Sequence, residues 1–474
     1  MRTTKIVATL GPATDPPEKL RKLFEAGVNV VRLNASHGLQ ADHAKRIQAV
    51  RQLAAETGRN VGILLDLQGP KIRLGNFQNG GCVLEEGCAF TITTQPVEGT
   101  AEMASTSYTE FARDVKPGDS VLLADGALQL EVVAADGIAA RCRVIRGGWI
   151  GDRKGINLPG VHVSAPSLSK KDVADAHFAV EQGVDFIALS FVRNGKDVLR
   201  LRHLLDEVDA SQPIVAKIEK PEAWQNLDSI IEEAEGIMVA RGDLGVEMAL
   251  ERVPMIQKAI IERCRQLGRF VITATQMLES MIENPVPTRA EVSDIANAIY
   301  DGTSALMLSA ETSTGKYPIE AIQMMGKIAV ETEAAVRRQG FTKDVGLVPD
   351  ATTAQIIADA AFHVARSAEV SALAVGTTSG ATAKLLARYR PPVPIFAFTA
   401  SEAVARQLSI IYGVDAIVAP ACASTDKMLQ EMEKALIATG RVKPGDNVVF
   451  VAGQPVNQPG STNLLNLHRV SVPM

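Results

Sequence analysis

Three charged residues close two short apolar runs. The runs are Ile214-Val215-Ala216-Lys217-Ile218-Glu219 and Ile237-Met238-Val239-Ala240-Arg241-Gly242-Asp243. Each reads as a buried strand that stops at a functional side chain. Two carboxylates with no histidine nearby suit a hard divalent ion such as Mg²⁺. A lysine beside that ion suits a phosphate or a developing oxyanion. Lys217 and Glu219 share one strand face because side chains alternate. Asp243 ends the next run, so one ion can bridge Glu219 and Asp243. Gly242 and Gly245 let the backbone approach a ligand closely. Surface ion pairing at strand ends is the plainer alternative.

Other runs end in comparable chemistry. Arg32-Leu33-Asn34-Ala35-Ser36-His37-Gly38 follows an apolar run. An arginine, an amide and a hydroxyl together can grip phosphate oxygens. Asp66-Leu67-Gln68-Gly69-Pro70-Lys71-Ile72-Arg73 follows the next run and brings three charges, Asp66, Lys71 and Arg73, to the same rim. Thr275, in Thr273-Ala274-Thr275-Gln276-Met277, can place a hydroxyl there, and Ser309 ends a further run. The seven histidines have no metal-like spacing. Neither GxSxG nor GxxxxGK[ST] occurs, so neither a hydrolase elbow nor a P-loop is supported.

These residues need a frame that gathers strand ends. Eight apolar runs begin at Lys5, Val30, Gly62, Phe186, Ile214, Ile237, Val271 and Ala305. Amphipathic segments such as Pro16 to Ala26 and Pro254 to Leu267 lie between them. Eight β/α units predict a closed (β/α)8 TIM barrel whose C-terminal strand ends carry the chemistry. The expected barrel spans residues 1–70 and 168–340. Residues 71–167 have another texture, with turn signals at Asn79-Gly80-Gly81, Lys116-Pro117-Gly118-Asp119 and Asp125-Gly126. They predict an inserted small all-β domain that overhangs the barrel mouth as a lid. The βα alternation restarts near Gly346, so residues 341–474 are expected to form an open α/β domain. There Gly376-Thr377-Thr378-Ser379-Gly380-Ala381-Thr382 joins a strand to a helix. Hydroxyls at a helix start can hold an anion, and a plain capping turn weighs about equally.

The bulk numbers exclude several classes. The 474 residues are too many for one core. The net charge of −5 gives no bulk argument for nucleic-acid or membrane binding. The five cysteines are odd in number and scattered, which fits a reducing cytoplasm. No run reaches the about 18 apolar residues of a spanning helix, and no signal peptide is expected.

Together these motifs resemble those of pyruvate kinases, over nearly the whole chain from Lys5 to Val472. The most specific stretches are Val30 to Gly38, Asp66 to Arg73, Lys217-Ile218-Glu219-Lys220, Met238 to Glu247, Ala274 to Met281 and Asn284 to Ala298. The resemblance implies phosphoryl transfer from phosphoenolpyruvate to ADP, giving pyruvate and ATP. It implies a barrel, a β-barrel lid and a C-terminal regulatory domain, usually as a homotetramer. It assigns Mg²⁺, which Mn²⁺ can replace, to Glu219 and Asp243. Lys217 would stabilise the moving phosphoryl group and the enolate, and Arg32 and Arg73 would grip phosphates. Thr275 would orient the water that protonates enolpyruvate. Backbone at Ala240, Arg241 and Gly242, with Asp243 and Thr275, would hold the substrate. Arg32, Asn34, His37 and Lys171 would lie near the nucleotide.

Two departures from the family pattern add expectations. Many relatives carry glutamate at position 71 and bind K⁺ through residues matching Asn34, Ser36, Asp66 and the carbonyl at Leu67. Here Lys71 brings an ammonium near that pocket, and like charge disfavours a monovalent cation. K⁺ is therefore not expected to be required. Sugar-bisphosphate-activated relatives often carry a basic residue where Ala381 stands. Thr377, Thr378, Ser379, Gly380 and Thr382 are expected to hold one phosphate of an effector such as AMP or a sugar monophosphate. Two other readings compete: a metal-dependent barrel lyase acting on pyruvate-like acids, and a metabolite sensor that has lost catalysis.

Overall fold

The computed structural model describes residues 2–339, 345–347, 350–367, 369–456, 458 and 460–471. The expected domain boundary at 340/341 and the closing Val472 lie outside the described residues. Eight parallel strands close into a barrel: β1 (Lys5–Thr9), β2 (Val30–Asn34), β3 (Gly62–Asp66), β4 (Phe186–Leu189), β5 (Ile214–Ile218), β6 (Gly236–Ala240), β7 (Phe270–Ala274) and β8 (Ala305–Leu308). Every strand pairs with its chain neighbours, and β8 closes on β1 through Lys5↔Ala305 and Ile6↔Leu306. The strands read as unbroken apolar runs because side chains on both faces are buried, one set in the barrel and one under the helices.

One expectation needs correction. Asp243 does not end a strand: β6 stops at Ala240, and Asp243 lies in the first turn of the short helix Arg241–Glu247. The chain turns into helix as soon as it leaves the barrel, so Asp243 still faces the rim that Glu219 reaches from β5.

Between β3 and β4 the chain builds a separate β unit. A six-stranded sheet and a two-stranded sheet share one apolar core around Phe90, Phe111, Val121 and Leu130. Its tip turns back onto the barrel. A Cβ on Gly126 would stand 3.6 Å from Val246, and the Asn157 amide donates to Glu247 Oε1 at 2.9 Å. Both contacts fall on the helix that carries Asp243.

The last unit is a five-stranded sheet whose edge strand, Thr462–Arg469, runs antiparallel to Asn447–Gly453. Beside it the unit holds the strand Val414–Val418 and the helices Ala381–Arg388 and Glu402–Leu408. The unit packs under the barrel at the strand-start end. Val7, Val30, Leu64, Phe186 and Phe270 of the barrel share a core with Leu373, Ile395 and Ile410. Polar ties fix the seam. Asp185, buried before β4, accepts from Ile63 N at 2.8 Å, from Arg51 at 2.9 Å and from Arg406 of the C-terminal unit at 2.8 Å. Asp185→Ala removes the carboxylate that Arg51 and Arg406 share and leaves Arg406 only the exposed Glu402 at 3.6 Å. It is expected to cost about 3 kcal/mol or more in urea unfolding; an unchanged midpoint would show that the seam does not depend on this group.

Candidate active site

The ends of β2, β3, β4 and β5 meet in one charged chain. Arg32, from β2, donates Nε–H to Asp66 Oδ2 at 2.7 Å and a terminal N–H to Thr9 Oγ1 at 3.1 Å. Lys217, from β5, lies 3.4 Å from Asp66 Oδ1 and 2.8 Å from Glu219 Oε1. Its ammonium also donates to Ser190 Oγ at 2.8 Å. All four charged groups are nearly out of solvent: Arg32 8 %, Asp66 1 %, Lys217 9 % and Glu219 1 % exposed. Each has an opposite charge in contact, which is the condition under which buried ions persist.

Ser190 is the member that the sequence reading missed. It ends the run Phe186-Ile187-Ala188-Leu189-Ser190 as Lys217 and Asp66 end theirs, and that position was the available signal. Its hydroxyl donates to the Leu67 carbonyl at 2.8 Å and so ties β4 to the motif after β3. The next residue, Phe191, has φ 55°, and its N–H donates to Glu219 Oε2 at 2.7 Å. Gly69 fits here because it has no side chain: φ is +70°, and a Cβ would lie 2.7 Å from the Phe191 ring.

The charges tune one another. Burial pushes the Lys217 ammonium down, but Asp66 and Glu219 outweigh it and the net shift is upward. Burial pushes the Asp66 carboxyl up, but Lys217 and Arg32 hold it below its ordinary value. Glu219 goes the other way: burial raises it, Lys217 opposes, and the Asp243 charge raises it further. Glu219 and Asp243 therefore crowd negative charge into one place that Lys217 only partly neutralises.

Thr275 follows β7 in a strained turn, with φ 68° there and 53° at Gln276. A β-branched residue in this region needs outside support. Arg241 supplies it. Its guanidinium donates to the Thr275 carbonyl at 2.7 Å and the Gln276 carbonyl at 3.1 Å, and pairs with Asp294 at 2.6 Å. The Thr275 hydroxyl accepts from Gly242 N at 2.8 Å, which joins the turn to the helix of Asp243. The Arg241 side chain thus holds the turn, while its backbone and Gly242 line the rim.

The remaining predicted residues sit around this centre. Asn34 pairs in register with Asp66, and its Oδ1 accepts from Ser36 N at 3.1 Å. Lys171 donates to the Ala35 carbonyl at 2.7 Å and pairs with Asp175. Burial and the charges of Arg73, Lys71 and Arg32 hold the His37 imidazole below its ordinary pKa. Arg73 donates to the Arg153 carbonyl at 3.2 Å, on the lid side. Lys71 does not reach Asp66: its ammonium lies 4.0 Å from Asp125 at the lid tip, beside Gly155. In the C-terminal unit, Thr377 to Thr382 edge a cavity of about 440 Å³. The Thr377 hydroxyl caps Gly380 N at 3.0 Å, and Thr382 is engaged with Thr462 at 2.6 Å. Among the described residues lining this cavity none is lysine or arginine.

A family model for the pyruvate kinase barrel domain matches residues 1–322, and one for the pyruvate kinase alpha/beta domain matches residues 355–468. The chain belongs to the pyruvate kinase family. It is 48 % identical over 473 residues to the pyruvate kinase of Geobacillus stearothermophilus, covering 99 % of this chain and 81 % of the relative. To the pyruvate kinase of Mycobacterium tuberculosis it is 46 % identical over 469 residues, 99 % and 98 % of the two chains. The crystal structure of a pyruvate kinase from Cryptosporidium parvum superposes with a TM-score of 0.92 at 36 % identity, over 99 % of this chain and 96 % of that one. The chain is accordingly a pyruvate kinase-type phosphotransferase. No helix among the described residues is long and apolar enough to cross a membrane.

Asp66→Asn keeps the shape of the carboxylate but leaves Arg32 and Lys217 without their shared anion. Unfolding free energy at neutral pH is expected to fall by about 3–5 kcal/mol. The sign with pH follows from the depressed carboxyl. Its contribution is present above the ordinary aspartate value of about 4 and is lost as pH falls through the lower folded value. Urea titrations of wild type and variant check both. A variant as stable as wild type at pH 7 would remove Asp66 from its central place.

Proposed function

We propose that this chain transfers the phosphoryl group of phosphoenolpyruvate to ADP, with Arg32, Lys217, Glu219, Asp243 and Thr275 as the working residues. The carrying observation is the buried chain Arg32–Asp66–Lys217–Glu219 at the barrel's strand ends. The bond from the enol oxygen to phosphorus breaks, and a terminal oxygen of ADP forms the new one. The electron pair left on the enol oxygen becomes an enolate, which takes a proton at carbon to give pyruvate.

The donor set fits Mg²⁺, the ion the family generally uses. Glu219 and Asp243 offer two carboxylates, and among the described residues no group of three His, Cys, Asp or Glu assembles. Two carboxylates completed by substrate oxygens and water suit Mg²⁺, and Mn²⁺ tolerates the same hard donors. When bound, such an ion supplies charge neutralisation at the transferring group. Lys217 lies beside these carboxylates, where its ammonium stabilises charge on the phosphoryl oxygens and the enolate. Arg32 is pre-oriented by Asp66, so its remaining N–H groups meet phosphate without reorganisation. The Thr275 hydroxyl and Gly242 N–H lie together where the substrate carboxylate and the protonating water belong. Arg73 and Lys71 approach from the lid, so their part depends on its position. Asn34, His37 and Lys171 border the side assigned to the nucleotide.

Two finer readings complete the proposal. Activity does not require K⁺, because Lys71 brings a fixed ammonium to the border of the Asn34, Ser36, Asp66 and Leu67 pocket when the lid moves. The cavity at Thr377 to Thr382 takes a phosphorylated effector with one phosphate. Hydroxyls and backbone N–H groups serve one phosphate, and among the described residues the lining has no cation for a second. The working form is a homotetramer in the cytoplasm; the five free cysteines suit a reducing compartment.

Pyruvate formation from phosphoenolpyruvate and ADP with Mg²⁺, followed by a coupled assay, tests the main reading. Lys217→Met is expected to fold and to lose about 10³-fold in turnover, roughly 4 kcal/mol of barrier. A variant with wild-type turnover would overturn the assignment. At constant ionic strength, KCl and tetramethylammonium chloride are expected to support equal turnover. Lys71→Glu should introduce a K⁺ requirement. A large K⁺-specific rise in the wild type would sink the K⁺ claim alone.

A further inference from the structure

A second roomy cavity, of about 470 Å³, opens at the opposite end of the barrel from the active site. It lies in the seam between the barrel floor and the C-terminal unit. Thr3 and Lys5 enter it from the start of β1, and the helix Pro318–Gln339 brings Glu333 and Arg337. The segments Arg390–Pro394 and Tyr412–Asp415 close it from below.

Its charge is unbalanced. Arg2, Lys5, Arg337, Arg366 and Arg390 line it, against the two carboxylates of Glu333 and Asp415. Both carboxylates are already engaged. Glu333 accepts from Thr3 N at 2.9 Å and Thr4 N at 2.7 Å. Asp415 pairs with Arg441 at 2.6 Å, outside the lining. The floor cations hydrogen-bond to neutral partners and feel Glu333 and Asp415 only through space. Lys5 donates to the Val414 carbonyl at 2.6 Å. Arg390 donates to the Thr303 carbonyl at 2.7 Å and stacks over the Tyr412 ring at 3.9 Å. At the rim, Arg337 and Arg366 are exposed and form an ion pair with no described residue.

Tying the two units together explains Lys5 and Arg390, since each reaches a carbonyl across the seam. It does not explain a solvent-open cavity with two arginines at its mouth that pair with no acid among the described residues. Burial also holds the Lys5 ammonium down to about 8 and the Arg2 guanidinium down to about 10. Keeping those charges costs stability that a bound anion would offset.

Part of the lining is apolar, from Val336, Val393 and the prolines 391, 392 and 394. Guanidinium forks match phosphate oxygens in pairs, and the volume falls in the range of small-ligand sites, roughly 300–1,000 Å³. We propose that the seam cavity, lined by Arg2, Lys5, Arg337, Arg366 and Arg390, binds a phosphorylated small metabolite. Its phosphate lies on the arginines and its carbon body on the prolines. This site is separate from the Thr377 to Thr382 loop and stands whether or not that loop binds an effector.

Calorimetric titration of the full chain with inorganic pyrophosphate tests this, in Mg²⁺-free buffer at fixed ionic strength. Wild type is expected to show a binding component that Arg337→Ala/Arg366→Ala weakens at least tenfold. Thr378→Ala/Ser379→Ala, in the effector loop, and Arg141→Ala/Arg143→Ala, a charge control on the lid, should keep that component. Citrate in place of pyrophosphate should bind at least tenfold more weakly. Wild-type affinity in the rim variant, an equal loss in the lid control, citrate binding as tight as pyrophosphate, or no component in wild type at millimolar pyrophosphate would each overturn the proposal. Neither rim arginine touches the active site, so basal turnover in the rim variant should match wild type.

Discussion

A carboxylate buried at the end of β3 organises the catalytic rim. Asp66 has almost no solvent, and its two oxygens face two cations delivered by different strands, Arg32 and Lys217. Without it Arg32 would lose its carboxylate and Lys217 would keep only Glu219, and isolated buried charge costs several kcal/mol. With Asp66 in place, both project toward the mouth with their positions set. Ser190 extends the same arrangement to β4, and Glu219 extends it back along β5. The barrel contributes parallel register, which brings four strand ends to one level. The electrostatics decide what may stand there.

Much of this was legible in the sequence because each functional side chain terminates a run too apolar to be anything but a buried strand. Arg32, Asp66, Lys217 and Glu219 could be placed on one rim from that pattern alone. Asp243 was placed by the same logic and came out one element further on, since an apolar run followed by Arg-Gly-Asp does not reveal where strand becomes helix. Ser190 escaped because a serine after a strand is commonplace and only its neighbours in space give it meaning. Lys71 shows another limit. Its chemistry is plain from its type, but its direction depends on how a separately folded insertion leans over the mouth, and here it leans on Asp125. The C-terminal edge strand Thr462–Arg469 was invisible because Thr462 alone among its residues is fully buried and the strand carries no period-two pattern of burial.

Rigid and adjustable parts are distributed unevenly. The charged chain beneath the substrate is packed and paired, whereas the lid meets the barrel through Asn157 on Glu247, the Gly126 turn on Val246 and the Arg193 guanidinium on the Val163 and Ala165 carbonyls. The contacts at Glu247 and Val246 land on the helix that also holds Asp243 and touches Thr275 through Gly242. A change in lid position therefore reaches the helix carrying a carboxylate of the site. Arg241, at the start of that same helix, ties the strained turn at Thr275 to Asp294, so the turn is joined to the lid-contacting helix by side chain as well as by backbone.

The shared core beneath the barrel carries a consequence for the newly made chain. Phe186 and Phe270 close the barrel floor from inside and meet each other edge to face, 5.9 Å apart. Their outer neighbours include Leu373, Ile395 and Ile410, which a ribosome delivers only after every barrel strand has left it. Throughout that interval the floor presents bare aromatic and aliphatic surface to its surroundings. Such surface on a waiting intermediate attracts other unfinished chains. The C-terminal unit thus serves as the stopper that ends this exposure, and its arrival, more than barrel closure, marks the moment at which the polypeptide becomes safe in a crowded solution.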